Sequence, residues 1–234
     1  MKPLIDLHTH TLASGHAYST LMENIQEAKN KGLKIYGLSE HAVNMPGTAH
    51  EFYFHNLRVI RDEIMGVKIL KGIEANIIDF KGNTDVNVEI SKQLDYMIAS
   101  LHGPCIKPGT KEENTNALIG AMKHEKVKII GHPDDGKFPI DYEKLVLAAK
   151  ENNIFLEVNN SSLNPTSFRE NARENYIELL ERCKEHNVQI IFGSDAHMCY
   201  DVGEFTNCIN LIKEVNFPKE LIINYYPDKL DFNR

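Results

Sequence analysis

Nine ionisable side chains in this sequence stand at or just beyond the ends of short apolar runs, where they could bind metal ions. They are seven histidines, one glutamate and one aspartate: His8, His10, His16, His41, Glu74, His102, His132, Asp195 and His197. A single histidine after a strand is usually a hydrogen-bonded loop residue, but nine metal-binding side chains at equivalent positions favour a shared site. The four remaining histidines, His50, His55, His124 and His186, fall outside this pattern, and we interpret them as solvated or helix-capping side chains.

The spacing of these residues predicts that they meet at one end of the fold. Successive steps from His8 through His41, Glu74 and His102 to His132 are 33, 33, 28 and 30 residues. Each step is about one strand–helix unit long, and in barrels of such units the C-terminal strand ends form the active-site face. Side chains two apart on a strand point to the same side, so His8 and His10 can bind one ion.

The number of predicted ligands exceeds the need of a single ion. Zinc takes about four ligands, and a catalytic zinc keeps one position for water, so the set predicts two or three ions. Imidazole and carboxylate ligands without a thiolate favour Zn²⁺, with Mn²⁺ or Fe²⁺ as alternatives, over a structural zinc knuckle. Closely spaced ions activate water and bind a phosphoryl oxygen during in-line displacement, which makes hydrolysis of a phosphate ester the predicted reaction.

Short apolar runs rich in Ile and Val position these residues, and they indicate strands buried on both faces of a parallel sheet. The runs cover residues 4–7, 35–38, 67–73, 96–101, 127–130, 154–158 and 188–192. The clearest helix between them is predicted over 20–31, where Thr20 and Glu23 form a capping box and Gly32 follows its end. Further helices are predicted over 51–65, 141–152, 169–186 and 203–215, and a long loop or small hairpin over 76–87.

Strand followed by helix, repeated about seven times, predicts an α/β protein with a barrel of βα units. A Rossmann-like open sheet is the alternative, and the barrel is preferred because no GxGxxG motif follows the first strand. No linker, low-complexity segment or shift in composition divides the chain. Residues 1–234 are therefore expected to form one domain.

The composition excludes several classes of partner. A formal net charge of −7 argues against a general nucleic-acid binder, which needs many basic residues to neutralise phosphates. No apolar run approaches the roughly 20 residues that a membrane span needs, and the first apolar stretch is too short for a signal peptide. The four cysteines form no CxxC pair, so we expect reduced, mostly buried thiols in a cytoplasmic protein. The oligomeric state is left open.

With these residues in view, the sequence resembles the polymerase and histidinol phosphatase (PHP) superfamily, and within it the YcdX-like phosphatases. The resemblance extends over nearly the whole chain. It is carried by six motifs: Asp6-Leu7-His8-Thr9-His10-Thr11, Ala13-Ser14-Gly15-His16-Ala17-Tyr18-Ser19-Thr20, Gly72-Ile73-Glu74-Ala75-Asn76, Gly131-His132-Pro133, Asn159-Asn160-Ser161-Ser162 and Gly193-Ser194-Asp195-Ala196-His197. The N-terminal block is the most specific of them, since HxH alone also occurs in amidohydrolases.

The resemblance implies a distorted TIM-like (βα)7 barrel, the PHP fold, with a trinuclear metal site and a metal-bridging hydroxide as nucleophile. Carried over to this sequence, Glu74 and Asp195 are the expected catalytic residues as well as metal ligands. The first ion would be held by His8, His10, Glu74 and Asp195. Glu74 would bridge to a second ion completed by His102 and His132, and a third would be held by His16, His41 and His197.

The substrate implied is a small phosphorylated molecule, and Arg169 is the residue expected to bind its phosphate. Arg169 follows the sixth predicted strand, and a planar guanidinium can donate two parallel hydrogen bonds to phosphate oxygens. A surface arginine at a helix start is the alternative interpretation, with Lys107, Lys111 and Lys137 as weaker phosphate-binding candidates. The segment Pro133-Asp134-Asp135-Gly136 is more acidic than the family resemblance leads one to expect, which bears on substrate preference.

Three other functions are weighed against this one. A histidinol phosphatase shares the superfamily and the ligand set, although the motif around His16 and the modest length favour the YcdX-like branch. A metal-binding accessory protein without turnover would be favoured by an incomplete ligand set, and this set is complete. An amidohydrolase that cleaves C–N bonds expects a bridging lysine, whereas Leu101-His102 ends the fourth predicted strand.

Overall fold

The computed structural model describes residues 2–232, which contain eight strands. They are β1 (Ile5–Asp6), β2 (Ile35–Leu38), β3 (Glu63–Ile64), β4 (Val67–Asn76), β5 (Tyr96–Ser100), β6 (Val127–Ile130), β7 (Phe155–Asn159) and β8 (Ile190–Gly193). Seven of these strands pair in parallel in the order β1-β2-β4-β5-β6-β7-β8, and the short β3 pairs antiparallel with β4. The prediction of seven parallel strands in a distorted barrel is confirmed.

The barrel is nearly closed where β1 and β8 meet, and we call this boundary the seam. At the C-terminal end of the strands the backbone N–H of Asp195 donates to the carbonyl of His8 at 2.8 Å. At the other end the buried side chain of Asn224 joins the two strands. Its Nδ2 donates to the carbonyls of Ile5 and Phe192 at 2.8 and 2.9 Å, and its Oδ1 accepts from the N–H of Phe192 at 2.7 Å.

The described residues form seven α-helices around this sheet. They are α1 (Leu21–Asn30), α2 (Phe52–His55), α3 (Val88–Ser91), α4 (Lys111–Ala121), α5 (Tyr142–Asn152), α6 (Ala172–His186) and α7 (Thr206–Glu214). The capping box predicted for α1 is present, since the Thr20 side chain accepts from the N–H of Glu23 and the Glu23 carboxylate accepts from the N–H of Thr20. The helices predicted near 141–152, 169–186 and 203–215 are found as α5, α6 and α7.

The single helix predicted over 51–65 is wrong. The short α2 passes into a 3₁₀ turn over Asn56–Val59, and the chain then reverses through a hairpin between β3 and β4. Met65 and Gly66 at its turn have φ values of 57° and 80°, the left-handed conformation that a two-residue hairpin turn requires and a helix excludes.

The helix α4 was not predicted, although Thr110 and Glu113 form a capping box at its start. Its buried face includes the polar Asn114 and Thr115. Because polar residues lie on both faces, the sequence lacks the apolar stripe by which amphipathic helices are identified. The predicted hairpin near 76–87 is present, with Ile77 bridged antiparallel to Thr84.

Below the strand ends the interior of the barrel is filled by side chains. Tyr96 is the largest of them, and its hydroxyl donates to the carbonyl of Leu7 at 2.6 Å. A Cβ added at Gly72 would lie 2.3 Å from Cζ of Tyr96, so β4 needs glycine to admit the ring. Glu74, two residues further along β4, follows on the same inward side. The filled interior therefore leaves the C-terminal strand ends as the place where the inward-pointing polar residues gather.

Two expectations from composition can also be compared with the structure. All four cysteines are free thiols; Cys183 and Cys208 are buried, whereas Cys105 and Cys199 are half-buried. The thiols are thus less uniformly buried than expected. Within residues 2–232, every helix is too short or too polar to span a membrane.

Removing the Asn224 side chain should destabilise the seam. In Asn224→Ala, three buried backbone groups of Ile5 and Phe192 lose their partners, and each unsatisfied group costs about 1–3 kcal/mol before relaxation. We expect a loss of roughly 2–4 kcal/mol in the free energy of unfolding, measured as a lower urea midpoint at constant slope. Asn30→Ala, on the exposed end of α1, should stay within about 0.5 kcal/mol of wild type. Equal stability of the two variants would contradict this account of the seam.

Candidate metal centre

All nine predicted ligands lie at the C-terminal ends of the barrel strands. Most are buried; His102 and His197 are half-buried, and His16 is exposed. They arrive from different strands, as the spacing predicted: His8 and His10 after β1, His41 after β2, Glu74 within β4, His102 after β5, His132 after β6, and Asp195 and His197 after β8. The fold thus brings together residues that are up to 189 positions apart in the sequence.

The carboxylate of Glu74 lies at the centre of five imidazole rings. Its two oxygens face different histidines. Oε1 is 3.1 Å and 2.9 Å from Nε2 of His102 and His132. Oε2 is 2.7 Å from Nδ1 of His41, and 3.3 Å and 3.5 Å from Nε2 of His8 and His10. A carboxylate with oxygens facing two sets of nitrogen donors has the arrangement that bridging two cations requires.

Asp195 follows β8 and approaches two of the same rings, His8 and His10, across the seam. Its Oδ1 lies 3.6 Å and 3.3 Å from Nε2 of His8 and His10, and 3.5 Å from Nδ1 of His197. Asp195 has a φ of 54°, a left-handed conformation that is uncommon for residues other than glycine. Such conformations persist where the surrounding structure imposes them, often at functional sites.

The outermost ligands form a stack of rings at the mouth of the site. The His16 ring centroid is 4.9 Å from that of His41 and 4.8 Å from that of His197. His10 stacks beneath them, with centroids 4.3 Å from His41 and 4.4 Å from His197. Donor atoms within 4.8 Å of one another form overlapping sets, such as His10-His41-His197 and His41-Glu74-His102. The geometry therefore brings the predicted ligands together, but the overlapping sets do not assign each ligand to one of three ions.

The polar atoms at the centre fit a cation. Among the described residues, His8 Nε2, His10 Nε2, His41 Nδ1 and Glu74 Oε2 are buried without a hydrogen-bond partner of acceptable geometry. Buried polar atoms are satisfied in the large majority of cases, and a cluster of unsatisfied ones calls for an explanation. Divalent cations among these four atoms would satisfy all of them at once. The residues present therefore fit a bound metal.

Contacts behind the rings fix which ring nitrogen faces the centre. Nδ1 of His8 lies 2.6 Å from Oε1 of Glu157, and because a carboxylate accepts, the ring nitrogen must donate. Nδ1 of His102 lies 2.7 Å from Oδ1 of Asn76, whose amide nitrogen is turned away to donate to Asp85 at 2.7 Å. With the proton on Nδ1, the lone pair of Nε2 is free to bind a metal.

His10 is oriented through a hydroxyl rather than a carboxylate. The Oγ of Ser14 lies 3.0 Å from Nδ1 of His10 and donates its hydrogen to Oε2 of Glu40 at 2.5 Å. Because that hydroxyl hydrogen is used, Ser14 accepts from His10, and Nε2 of His10 again faces the centre. Glu40 is itself held by the N–H and hydroxyl of Thr11.

Sequence reasoning missed these four orienting residues, Glu157, Asn76, Ser14 and Glu40. Two of them carry a signal that could have identified them. Glu157 is a carboxylate in an otherwise apolar predicted strand, and Asn76 stands two residues after Glu74 and so on the same face of β4. Ser14 and Glu40 carry no comparable signal, because their contacts depend on how two loops meet.

Burial and neighbouring charges favour the protonation states in which the predicted ligands can bind a metal. Burial lowers the pKa of His102 to about 4 despite the nearby Glu74, and it lowers that of His10 with help from His41 and His197. Both rings are therefore neutral near pH 7. Burial opposes ionisation of Glu74, yet the surrounding His8, His102 and His41 hold its pKa well below its usual range, so it carries a negative charge.

His8 differs from the other buried rings. Burial lowers its pKa, but Glu157, Glu74 and Asp195 together outweigh burial and raise it well above its usual value. The same three carboxylates that favour a proton on His8 would attract a divalent cation in its place.

A cavity of about 550 Å³ opens above the ligands. One part of its wall is apolar, with Met45, Leu101, Pro104 and Phe168. Another part carries hydroxyl and amide groups, and Asp135 lies at its edge: this part comprises Ser161, Asn164, Thr166 and Ser167. Six of the predicted ligands also line this cavity, so a molecule bound there would contact them directly: His16, His41, His102, His132, Asp195 and His197.

Arg169 lines this cavity and is not a surface residue at a helix start. Its side chain is 8% exposed, and α6 begins three residues later, at Ala172. Nη2 lies 3.2 Å from Oδ2 of Asp195, and Nη1 donates to Oγ of Ser162 at 2.6 Å. Burial lowers the pKa of Arg169, but Asp195 and Asp134 outweigh burial and raise it, so the guanidinium stays charged.

Of the two acidic residues after β6, Asp134 lies next to this arginine, whereas Asp135 accepts from the backbone N–H groups of Lys137 and Glu170. Asp134 is buried, and its Oδ1 accepts from the Ser162 hydroxyl at 3.2 Å, directly behind Arg169. By contrast, Lys107, Lys111 and Lys137 are exposed, and Nζ of Lys137 donates to the carbonyl of Phe168 at 2.9 Å. Among the four basic residues considered from sequence, Arg169 is the one that the structure brings to the cavity.

The four histidines outside the pattern make local contacts. Nδ1 of His50 accepts from the N–H of Phe52 at the start of α2, and Nδ1 of His124 accepts from the N–H of Lys126. The other two contact side chains on the outside of the barrel: His55 contacts Gln93, and His186 contacts Glu143.

Comparison with known proteins adds a family to this geometry. Residues 6–162 match the PHP domain. A protein of Clostridium botulinum named a probable phosphatase is 47% identical over 230 residues, which cover 98% of this chain and 93% of that protein. A probable phosphatase of Clostridium acetobutylicum is 45% identical over 224 residues, covering 96% and 91%.

A solved structure shares the fold at low sequence identity. The histidinol phosphate phosphatase of Lactococcus lactis, solved with zinc, L-histidinol and phosphate, has a TM-score of 0.62 and 17% identity. The match covers 93% of this chain and 95% of that one. At this identity the likeness concerns the fold alone.

The nine gathered ligands lead us to expect about two to three first-row transition metal ions per chain, with zinc favoured. Elemental analysis after purification without chelators measures this number. His10→Ala should lower it, because His10 contacts Glu74, Asp195, His41 and His197 together. His186→Ala, which removes a ring outside the barrel, should leave it unchanged. Fewer than about one ion per chain, with no uptake on reconstitution, would contradict the expectation.

Proposed function

The chain belongs to the PHP domain family, and from this membership we propose that it is a metal-dependent phosphatase that hydrolyses phosphate monoesters of small molecules. The observation that carries the proposal is the convergence of three unsatisfied, buried ring nitrogens on the equally unsatisfied Oε2 of Glu74, beneath a cavity that also contains a charged arginine. Metal-assisted hydrolysis of a phosphate ester requires cations that activate water and a positively charged group that binds the phosphate. A cation-binding centre and an arginine that face one cavity meet both requirements.

In this proposal the nine residues would hold up to three ions, with zinc favoured and manganese or iron as alternatives. His8, His10, Glu74 and Asp195 would hold the first, and Glu74, His102 and His132 the second. His16, His41 and His197 would hold the third. Support for Glu74 as the bridge comes from its two oxygens: Oε1 faces His102 and His132, and Oε2 faces His8 and His10 as well as His41.

The ions, when bound, would lower the pKa of a water molecule and offset the negative charge of the phosphoryl group. The chain's own residues supply the rest. Glu74 and Asp195 are proposed as catalytic residues because their carboxylates lie against the donor nitrogens at which an ion would sit. Orientation of His8, His10 and His102 by their Nδ1 contacts keeps the Nε2 atoms in place throughout the reaction.

Arg169 is proposed to bind the phosphate. Two of its N–H groups donate to Ser162 and Asp195, which hold the guanidinium plane at the cavity wall. The planar group has five N–H donors, so further donors are available to phosphate oxygens that the ions do not engage. A phosphate monoester carries about two negative charges near neutral pH, and one buried cation beside the ions adds both charge and direction.

Two alternatives set the design of the experiments. A histidinol phosphatase is one, because a neighbour in fold was solved with L-histidinol and phosphate. A panel of sugar, nucleotide and amino-alcohol phosphates that includes L-histidinol phosphate separates it from other phosphatases. A metal-binding accessory protein is the other. It predicts metal uptake without hydrolysis of any ester in the panel.

We also propose that residues 1–234 act as one domain in the cytoplasm. The support is that the predicted ligands from His8 to His197 meet in one centre, so the site cannot be divided between two separate domains. Free thiols are the state expected of cysteines in that compartment.

Substitution Glu74→Gln should abolish most turnover while changing side-chain volume little. It removes the charge at the centre and replaces one oxygen by a donor that faces imidazole nitrogens. Loss of such electrostatic stabilisation costs on the order of 10²-fold or more in rate. The measurement is hydrolysis of p-nitrophenyl phosphate by folded, metal-loaded protein, with Glu89→Gln on the exposed α3 as the control. Near wild-type hydrolysis by Glu74→Gln would contradict the mechanism.

Substitution Arg169→Ala should mainly raise KM for phosphate monoesters and leave the metal content unchanged. Losing one charge-assisted contact should cost roughly 1.5–3 kcal/mol, or about 10- to 150-fold in kcat/KM. Arg169→Lys should recover only part of this, because an ammonium lacks the planar, bidentate geometry. Arg182→Ala, which removes a surface arginine paired with Glu185, is the control. Unchanged kinetics in both Arg169 variants would show that the phosphate is bound elsewhere.

A further inference from the structure

Glu157 is a buried carboxylate that lies outside the predicted metal-binding sets but contacts members of two of them. It lies on β7, is 1% exposed, and accepts hydrogen bonds from three donors. Nδ1 of His8 lies 2.6 Å from Oε1, and the backbone N–H of His132 and Nδ2 of Asn159 donate to Oε2 at 2.7 Å and 3.2 Å. We propose that Glu157 is a positioning residue that sets His8 and His132 relative to each other, an inference that rests on the proposed metal-dependent function.

The two oxygens of Glu157 act on ligands of two different ions. Oε1 contacts His8, proposed for the first ion, and Oε2 contacts His132, proposed for the second. Glu74 contacts the Nε2 atoms of the same two rings, at 3.3 Å and 2.9 Å. The two rings are stacked, with centroids 5.8 Å apart. Each of the two histidines is therefore held at two points, by Glu74 at Nε2 and by Glu157 at its other end.

The contact with His132 is to the backbone and not to the ring. His132 has a φ of 28°, outside the conformations that residues with a Cβ usually adopt. A short hydrogen bond from its N–H to a fixed carboxylate stabilises that backbone and so determines where the ring projects. Because no substitution at position 132 except proline removes this backbone bond, Glu157 is the residue through which it can be tested.

The neighbouring strand is built to admit this carboxylate. A Cβ added at Gly193 on β8 would lie 1.9 Å from Oε1 of Glu157. Gly193 precedes the Ser194-Asp195 segment, and its backbone is not in the left-handed region, so close approach rather than conformation explains the glycine. The glycine of the Gly-Ser-Asp-Ala-His motif thus leaves room for Glu157 and for His8, whose Cβ would lie 2.9 Å from the added atom.

Glutamine is the diagnostic replacement because all three groups around Glu157 donate. If the amide nitrogen of Glu157→Gln faced His8, Nδ1 would have to accept, and the ring proton would move to Nε2, where the metal binds. If it faced His132, two N–H groups would oppose each other at about the present 2.7 Å. Neither orientation satisfies every donor, so the ligands must shift or change tautomer.

The experiment is competition for zinc between the metal-loaded protein and a chromophoric chelator. Loss of an outer contact of this kind commonly weakens metal affinity by about 10- to 100-fold. We expect this loss in Glu157→Gln for the ions bound by His8 and His132, and unchanged affinity for the ion of His16, His41 and His197. Glu143→Gln is the matched control, since Glu143 contacts Nε2 of His186 at 2.8 Å on the outside of the barrel. Equal zinc affinity of Glu157→Gln and wild type would overturn the proposal.

Two further measurements separate positioning from charge and from folding defects. Glu157→Asp keeps the charge but is one methylene shorter, so it should also bind zinc weakly; wild-type affinity in this variant would overturn the positioning role. In zinc-loaded wild type, ¹⁵N NMR of labelled histidine should show His8 protonated at Nδ1, which requires no variant to fold. A proton on Nε2 of His8 would overturn the proposal.

The zinc readout also distinguishes this proposal from the proposed function. A wild-type protein that binds zinc but hydrolyses no phosphate ester would contradict the phosphatase. The expected loss of zinc affinity in Glu157→Gln would then still support positioning by Glu157.

Discussion

A charged carboxylate buried among five imidazole rings is the interaction on which the rest of this structure depends. An ionised carboxylate without water is stable only where positive charge or hydrogen-bond donors surround it. Glu74 has no water-exposed surface, so its partners must come from the protein or from bound cations. One segment cannot supply them, because five rings around one carboxylate need approach from several directions. The barrel meets this requirement because all its parallel strands have their C-terminal ends on the same side.

Much of this arrangement could be predicted from the sequence, because it follows from repetition. The interval of about one βα unit identifies which residues lie together at the C-terminal strand ends, and the apolar runs identify the strands that precede them. Contacts across the chain could not be predicted in the same way. The bond between His8 and Glu157 joins residues 149 positions apart, and periodicity gives the side of a strand but not the partner found there. The missed helix α4 has a related cause, since Asn114 is buried for its hydrogen bonds to Gly109 and Pro139 rather than for apolarity.

The electrostatics of the cavity tie anion binding to cation binding. Asp195 and Asp135 line the cavity, and Glu74 and Glu157 contact His132 in its wall. Asp134 lies behind Arg169, so carboxylates outnumber the single arginine. A phosphate entering such a cavity would be repelled unless cations had already offset these charges. Under the proposed function, the ions therefore create the phosphate site as well as the reactive water. The overall charge of −7 is compatible with an anionic substrate on this basis.

The seam between β1 and β8 has a consequence for how the protein is made. His8 and His10 leave the ribosome more than 180 residues before Asp195 and His197, the ligands that join them across the seam. At synthesis rates of about 5–20 residues per second, this interval is on the order of ten seconds or more. During that time the nascent chain offers a metal only part of the ligand set. Under the proposed function, selection among zinc, manganese and iron is then a property of the finished barrel, exerted after translation has passed β8.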